Sequence, residues 1–79
     1  MRLDKYLKVS RIIKRRTVAK QACDSGKTLI NGKVAKASSE IKVGDQLEVN
    51  IGAKPLKVEV VLVKEHVKKE EASSLYKEI

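Results

Sequence analysis

Residues that could bind phosphate are crowded into the first quarter of the sequence. Residues 11–17 read RIIKRRT, so four permanent cations occupy six positions around two isoleucines. Like charges at this spacing repel one another, and a polyanion outside the chain would neutralise them. All four arginines of the protein lie at positions 2, 11, 15 and 16, and the flat guanidinium fork suits phosphate better than the ammonium of lysine does. The chemistry indicated is phosphate binding.

The charge of the whole sequence shows the same asymmetry. Of the net charge of +8, residues 1–20 account for +7, because eight Lys/Arg stand against Asp4 alone, and residues 21–79 account for +1, because ten Lys stand against nine Asp/Glu. A basic protein made soluble by lysine would spread its charge. The concentrated excess indicates a cationic surface on one structural element, which is typical of a protein that binds a polyanion.

Three kinds of polyanion are compatible with such a surface: nucleic acid, an anionic membrane and an acidic protein. A membrane-surface helix would show Trp, Phe or Leu opposite its cations. The apolar stripe here is narrow and is needed for the core, so we expect no membrane partner. Nucleic acid fits the arginine cluster best, and an acidic protein partner stays open as the alternative.

The aromatic content narrows the type of nucleic acid. Proteins that read single strands stack bases on aromatic side chains, and this sequence has two tyrosines, no Trp and no Phe. Tyr6 and Tyr76 fall on apolar helical stripes, where core packing is the expected role. Recognition of a phosphate-lined shape, as in folded RNA, is therefore favoured over major-groove reading of DNA by the second helix.

Neither catalysis nor a cofactor is indicated. The sequence has no paired carboxylates, metal-ligand set, activated nucleophile or glycine-rich phosphate loop. A lone Cys23, expected to be a small buried hydrophobe, and a lone His66 in a surface linker make neither a zinc site nor a dyad. The longest apolar run spans residues 60–63, and no apolar run follows the charged N-terminus, so we expect no signal peptide. We expect a non-enzymatic, monomeric, cytoplasmic protein without metal or cofactor.

Two helices have to position the cations. The spacing of Leu3, Tyr6 and Leu7 predicts a helix over residues 3–9, with a turn at 10–14. A second helix is predicted over 15–24. Its buried residues are predicted to be Val18, Ala19, Ala22 and Cys23. Gly26 is expected to take the left-handed conformation after its end.

The rest of the sequence alternates with a period of two and predicts a small sheet. Asn31-Gly32 between two short apolar runs predicts a hairpin with a type I′ turn. Further strands are predicted over 46–51, with Ile51 on the buried face, and over 56–63, with Leu62 in the alternation. The sequence KKEEASSLYKEI predicts a terminal helix with Ala72, Leu75, Tyr76 and Ile79 on one stripe.

The predicted fold class is therefore α+β. Two short N-terminal helices lead a small, mainly antiparallel sheet, and a short C-terminal helix follows. We divide the chain into a domain over residues 1–64 and a C-terminal tail or helix over residues 65–79.

Three stretches carry a family resemblance: RLDKYL at 2–7, SRIIKRRTVAKQAC at 10–23 and KTLINGKVAKASSEIKVGD at 27–45. Over about residues 1–52 they resemble the S-four-type RNA-binding domain, in which two basic helices precede a strand-Asn-Gly-strand hairpin. The start RLDKYLKVSRIIKRRT resembles the ribosome-associated heat-shock protein fifteen family and, within it, the RqcP-like proteins, which share the compact length and the KKEEAS tail. The longer heat-shock relatives carry a basic C-terminal extension that is missing here.

The resemblance implies a role in bacterial ribosome-associated quality control. RqcP-like proteins bind large ribosomal subunits obstructed by peptidyl-tRNA and hold that tRNA in the P site while a partner factor tails the stalled chain. We therefore expect the large subunit with its rRNA, peptidyl-tRNA and a nascent-chain tailing factor as partners. The alternatives are a heat-shock-type factor that recycles large subunits and a basic adaptor that docks an acidic protein.

The candidate RNA contacts combine the cation cluster with the resemblance. Arg2 and Arg16 match the family's motif positions, and Lys36 and Ser38 lie in or beside a hairpin that borders RNA in that family. The full set is Arg2, Asp4, Lys5, Arg11, Lys14, Arg15, Arg16, Lys20, Lys36 and Ser38. The alternative is that the charge run forms only a solvated helix face.

Asp4 has two interpretations. It could orient Arg2 or a neighbouring lysine, or accept a hydrogen bond from a base or a 2′-hydroxyl. It could also be an acidic residue in the first turn of the first helix, where it interacts favourably with the helix dipole. Both interpretations stay open on the sequence.

Overall fold

The computed structural model describes residues 1–79 and has an α+β fold. The helices are α1 (Leu3–Val9), α2 (Arg16–Asp24) and a 3₁₀ helix (Lys69–Leu75), and the strands are β1 (Thr28–Ile30), β2 (Lys33–Val34), β3 (Gln46–Val49), β4 (Leu56–Val60) and β5 (Tyr76–Glu78). The sheet order is β2-β1-β3-β4-β5, with every neighbouring pair antiparallel. The predicted class, with two leading helices, an antiparallel sheet and a short C-terminal helix, is confirmed. None of the helices has the length and apolar character needed to cross a membrane.

Helix α1 begins where its first N–H groups find acceptors in another segment. Arg2 provides no side-chain cap. Instead, the Leu3 N–H donates to the Ser39 carbonyl at 2.8 Å, and the Asp4 N–H donates to the Ala37 carbonyl at 3.2 Å. Because a helix start leaves several N–H groups without intrahelical partners, the turn at residues 37–39 acts as a tertiary cap. The helix bounds agree with the predicted 3–9.

Helix α2 packs on α1 through small side chains. Ala19 and Ala22 are buried, which permits close approach of the two helices. The helix ends in a Schellman motif, in which Gly26 N–H donates to the Cys23 carbonyl and Lys27 N–H donates to the Ala22 carbonyl, both at 3.0 Å. Gly26 has the predicted positive φ, +75°.

The predicted burial of Val18 is wrong, since its side chain is 41% exposed. Val18 precedes Ala19, which is fully buried. Successive helical residues are about 100° apart around the axis, so Val18 lies at the edge of the buried face of α2. The apolar face of this helix is therefore narrower than its sequence suggests.

Strands β1 and β2 form the predicted hairpin. Asn31 and Gly32 have φ of +51° and +83°, as a type I′ turn requires, and Ile30 pairs with Lys33. The Asn31 amide also donates to the Asp45 carboxylate at 3.1 Å and accepts the Gln46 N–H at 3.0 Å. The hairpin turn is thus tied to the turn that precedes β3.

Strands β3 and β4 are both shorter than predicted. β3 ends at Val49 and β4 ends at Val60, and Ile51 and Leu62 are each 38% exposed rather than buried. The cause on the β4 side is a change of hydrogen-bond partner, because the N–H groups of Val61 and Leu62 both donate to the Leu75 carbonyl, at 2.9 and 3.0 Å.

The C-terminal segment is a helix followed by a strand rather than one helix. Ala72 and Leu75 are buried in the 3₁₀ helix, as the predicted stripe requires. Tyr76 instead begins β5, where it pairs with Val60 of β4, and Ile79 is 64% exposed. Pairing with the free edge of β4 satisfies backbone groups that a short helix would leave open.

Tyr6 joins α1 to this C-terminal segment. Its side chain is fully buried, and its hydroxyl donates to the Leu75 carbonyl at 2.7 Å. Burial, and to a smaller degree the neighbouring Tyr76, raises the pKa of the Tyr6 phenol well above its ordinary value near 10. Residues 69–78 therefore form an edge strand of the sheet and cover part of the core. Their contact with Tyr6 holds α1 in place against the sheet.

Candidate nucleic-acid interface

A buried carboxylate lies at the centre of the cationic surface. The Asp4 side chain is only 3% exposed. Arg2 donates from Nε to Asp4 Oδ1 at 3.2 Å and from Nη2 to Oδ2 at 3.4 Å. Arg16 donates from Nε to the same Oδ2 at 3.4 Å. Arg2, which precedes α1, and Arg16, the first residue of α2, thus bind the same carboxylate.

The cost of burying a charge explains this arrangement. An isolated carboxylate out of water is strongly unfavourable, and two guanidinium groups supply the charge-assisted hydrogen bonds that offset the cost. The arginines are not themselves buried, since the side chains of Arg2 and Arg16 are 47% and 49% exposed. Most of their N–H donors therefore remain free to bind an anion that approaches from solvent.

Of the roles that the sequence left open for Asp4, the structure shows the two that involve other groups of this chain. It orients Arg2, as described above, and it lies in the first turn of α1, where its Oδ1 accepts the Lys5 N–H at 2.8 Å. A carboxylate at this position satisfies a helix-terminal donor and interacts favourably with the positive end of the dipole. Because the carboxylate is buried under two arginines, its role on this surface is to hold them.

The turn that carries Lys36 and Ser38 lies at the same end of α1. Ala37, between these two residues, accepts the N–H of Asp4, and Lys36 N–H donates to the Ser39 hydroxyl at 2.9 Å. Both Lys36 and Ser38 are exposed. The structure therefore brings these two secondary candidates next to the Arg2–Asp4–Arg16 cluster, although they follow Asp4 by more than 30 positions along the chain.

The other candidate RNA contacts differ in whether they form an ion pair with a carboxylate of the chain. Lys5 is half-buried and pairs with Glu65 at 3.5 Å between Nζ and Oε1. The remaining cationic candidates of the two-helix segment are exposed and form no ion pair within the chain; they are Arg11, Lys14, Arg15 and Lys20. Arg15 is extended immediately before α2, and Arg11 and Lys14 lie in the turn that follows α1.

The remaining reactive side chains have structural roles. Tyr6 is fully buried and Tyr76 is partly buried in β5, so Tyr6 at least offers no ring face to a base. Cys23 is buried as predicted, and burial raises the pKa of its thiol. No group of three or more His, Cys, Asp or Glu side chains could hold a metal ion.

Sequence reasoning missed the partners that organise the surface. The Asp4–Arg16 contact joins residues 12 positions apart, and its one local signal is that Asp4 is the sole acid among eight cations. The Lys5–Glu65 pair has no such signal, because Glu65 comes from the segment after β4. That segment also brings His66 toward the end of α1, a position that its sequence neighbours do not indicate.

Comparison with known proteins agrees with this fold. Residues 1–47 match the S4 domain family. The chain is 58% identical over 76 residues to the "RQC P-site tRNA stabilizing factor" of Halalkalibacterium halodurans, covering 96% of this chain and 86% of that protein. It is 57% identical over 76 residues to the protein of the same name from Bacillus subtilis, covering 96% and 88%.

Similarity extends to heat-shock protein 15. The chain is 33% identical over 79 residues to the "Heat shock protein 15 homolog" of Haemophilus influenzae, covering 99% of this chain and 60% of that protein. The solved structure of Vibrio cholerae Heat Shock Protein 15, which is described as trimeric, matches with a TM-score of 0.93 at 30% identity, covering 100% of this chain and 81% of that one. The resemblances drawn from the sequence, to the S-four-type domain and to these two groups, are confirmed.

Proposed function

The chain belongs to the S4 domain family and, within it, to the RQC P-site tRNA stabilizing factors, and we propose that it binds the RNA of the large ribosomal subunit and stabilises peptidyl-tRNA in the P site. One observation carries the proposal: Asp4 holds Arg2 and Arg16 together at the surface with most of their donors free. A pair of oriented guanidinium groups matches the geometry of a phosphate better than separate flexible lysines do.

The surrounding charges support an extended RNA backbone as the ligand. Lys20 on α2 and Lys36 on the turn at 36–39 are exposed and form no ion pair within the chain, so no carboxylate of the chain competes with phosphate for them. An acidic protein would also be attracted, but a nucleic acid presents its charges at regular intervals along one strand. Free lysines flanking a fixed arginine pair suit that regular spacing.

We also propose how the chain acts on the ribosome. The chain acts without catalysis on large subunits that are obstructed by peptidyl-tRNA, and it keeps that tRNA in place while a partner factor of the same pathway tails the stalled nascent chain. It works in the cytoplasm, as a monomer, with no membrane, metal or cofactor.

Co-sedimentation of the purified chain with large ribosomal subunits tests the proposal. Arg16→Ala removes a half-exposed side chain, so it should leave the fold intact while most of the subunit association is lost. Lys54→Ala, which removes an exposed cation far from α1 in sequence, is the matched control and should bind as the unmodified chain does. If Arg16→Ala co-sediments normally, the arginine pair is not the RNA contact.

The salt dependence of binding gives a second measure. If about five phosphates are neutralised, log K should fall with log salt concentration at a slope of about −3.5 to −4.5. A protein that binds rRNA and tRNA weakly, but captures an acidic protein tightly in nuclease-treated extract, would instead act as an adaptor.

The TM-score of 0.93 to Heat Shock Protein 15 favours one second candidate, a factor that recycles large subunits after heat stress. The two roles differ in the particle that is bound. Pull-down of the tagged chain followed by sequencing of the bound tRNA separates them, because quality control requires enrichment of large subunits that carry peptidyl-tRNA, whereas recycling does not depend on that cargo.

A further inference from the structure

A second group of cations faces a cleft at the other end of α1. The cleft has a volume of about 370 Å³. One wall is the last turn of α1, which supplies Lys8, and the turn that follows it, which supplies Arg11 and Lys14. The other wall is the segment at residues 65–67. Asp4 and Lys8 are four residues apart, which corresponds to about 6 Å along the helix axis. The cleft is thus separate from the Arg2–Asp4–Arg16 cluster while facing the same helical element.

No carboxylate of the chain forms an ion pair with the cations of this cleft. Lys8, Arg11 and Lys14 are exposed and form no ion pair within the chain. The one acidic residue in the lining, Glu65, is engaged by Lys5 at 3.5 Å. The exposed imidazole of His66 adds an N–H donor to the opposite wall. Three unpaired cations that converge on a concave surface create a positive potential that an anion would relieve.

The backbone at Arg11 is strained in a way that maintains this convergence. Arg11 has φ of +62°, in the left-handed region that glycine or asparagine occupies more readily. The chain is held there from both sides, since the Arg11 N–H donates to the Lys8 carbonyl at 3.1 Å and the buried Ile13 donates its N–H to the Leu7 carbonyl at 3.0 Å. Strained residues of this kind persist where the surroundings determine them, and they concentrate at binding sites.

We propose that the cleft formed by Lys8, Arg11, Lys14 and His66 binds a second RNA phosphate, distinct from the phosphate held by Arg2 and Arg16. This inference rests on the proposed function for the identity of the ligand as RNA. In the Asp4 cluster, a buried carboxylate orients the donors of two arginines. The cleft is a concave site in which three cations and an imidazole surround an anion. Two sites at opposite ends of α1 would fix the register of the helix on an RNA backbone, which one site cannot do.

The existence of the anion site is tested on the isolated protein with pyrophosphate as the probe. Titration followed by ¹H–¹⁵N NMR should shift the backbone amides of residues 9–14 and the ring signals of His66. The double variant Lys8→Ala/Lys14→Ala should lose these shifts. The control Lys54→Ala/Lys69→Ala, which removes the same charge from exposed positions outside the cleft, should retain them.

Use of the site on the ribosome is tested by binding to large subunits over a range of salt concentrations. Loss of one phosphate contact should weaken binding about tenfold and make the slope of log K against log salt less steep by about 0.7 to 0.9 in Lys8→Ala/Lys14→Ala, but not in the control. Absence of the pyrophosphate shifts in the unmodified chain, or a slope in the double variant equal to that of the control, overturns the inference. If pyrophosphate binds in the cleft but the unmodified chain does not co-sediment with large subunits, the proposed function fails while the anion site stands.

Discussion

In the helical layer (α1, α2 and the turn between them), two arginines share one buried carboxylate, whereas in the sheet each paired lysine has its own glutamate on the neighbouring strand. Lys57 lies opposite Glu48 and Lys77 lies opposite Glu59, with Nζ–Oε distances of 3.6 and 3.9 Å. Along β3 and β4, Glu48, Lys57 and Glu59 alternate with residues of the buried face. The sheet is therefore close to neutral on its outer face, and the helical layer is not.

The difference shows what each layer contributes. Cross-strand pairs on a solvated face stabilise a sheet by small amounts and leave no charge for a partner. In the Asp4 cluster, two guanidinium groups share one carboxylate, so an excess of positive charge remains. The carboxylate orients both arginines. The sheet and the C-terminal segment form the scaffold, and the helical layer presents the binding groups. Four substitutions, whose expected effects decrease from the core to the sheet surface, test this division.

The largest effect should come from the scaffold. Leu47 is 1% exposed and pairs with Val58 between β3 and β4, so Leu47→Ala should lower the free energy of unfolding by about 2–5 kcal/mol. Thermal and denaturant unfolding measure the loss. The fraction that remains folded should bind large subunits with unchanged affinity, and a specific loss of affinity would mean that the sheet takes part in binding.

Asp4→Asn should mainly affect binding. The substitution makes the chain more positive, so general electrostatic attraction to RNA should increase. We expect affinity for large subunits to fall about tenfold instead, because Arg2 and Arg16 lose the charged acceptor that orients them. The measurement is a binding isotherm at fixed salt, with circular dichroism to establish that the variant is folded. Tighter binding by Asp4→Asn would show that net charge, and not orientation, controls the interface.

Tyr6→Phe should affect the connection between the two layers. It removes the hydroxyl that donates to the Leu75 carbonyl and should lower the free energy of unfolding by about 1 kcal/mol at neutral pH.

The same variant should also change the alkaline stability. Burial raises the folded-state pKa of Tyr6, so the phenol binds its proton more tightly in the folded chain. The stability from this group is fully present below the unfolded pKa near 10 and is lost as the pH rises above it. Tyr6→Phe should therefore lose less stability than the unmodified chain between about pH 9 and 11. Parallel curves for the two proteins would exclude this contribution.

The smallest effect should come from the sheet surface. Glu48→Gln removes the partner of Lys57 on the solvated face and should change the free energy of unfolding by about 0.5 kcal/mol or less. It should not alter subunit binding beyond the effect of one added positive charge. A loss of stability as large as that of Leu47→Ala would show that the cross-strand ion pairs contribute substantially to the free energy of unfolding.

The elements that sequence predicted well are those whose determinants are local. The bounds of α1 follow from apolar spacing within one helical turn, the β1–β2 hairpin follows from Asn31-Gly32, and the end of α2 follows from Gly26. The concentration of positive charge in the first 20 residues is also a property of the sequence alone. Each of these could be predicted from side chains that are neighbours in the chain, although in the folded protein the turn at residues 37–39 also caps the start of α1.

The elements that sequence predicted poorly are those whose partners are distant. β4 ends early because the N–H groups of Val61 and Leu62 donate to the Leu75 carbonyl, and β5 forms because Tyr76 pairs with Val60 at the edge of β4. Periodicity cannot detect these backbone contacts, because the side chains of residues 72–79 suit a helical stripe as well as a strand. The exposure of Val18 likewise depends on how much of α2 the core can cover.

The sequence by itself determined that this protein has a cationic segment and a small α+β fold, because charge and short-range periodicity are written along the chain. Only the tertiary structure decided which cations act together. Burial of Asp4 between α1 and α2 joins Arg2 to Arg16, and the segment at residues 65–67 closes a second cleft around Arg11. The physical reason is that a buried charge must find its partner in space, and the folded chain, not the order of residues, sets which partner is near.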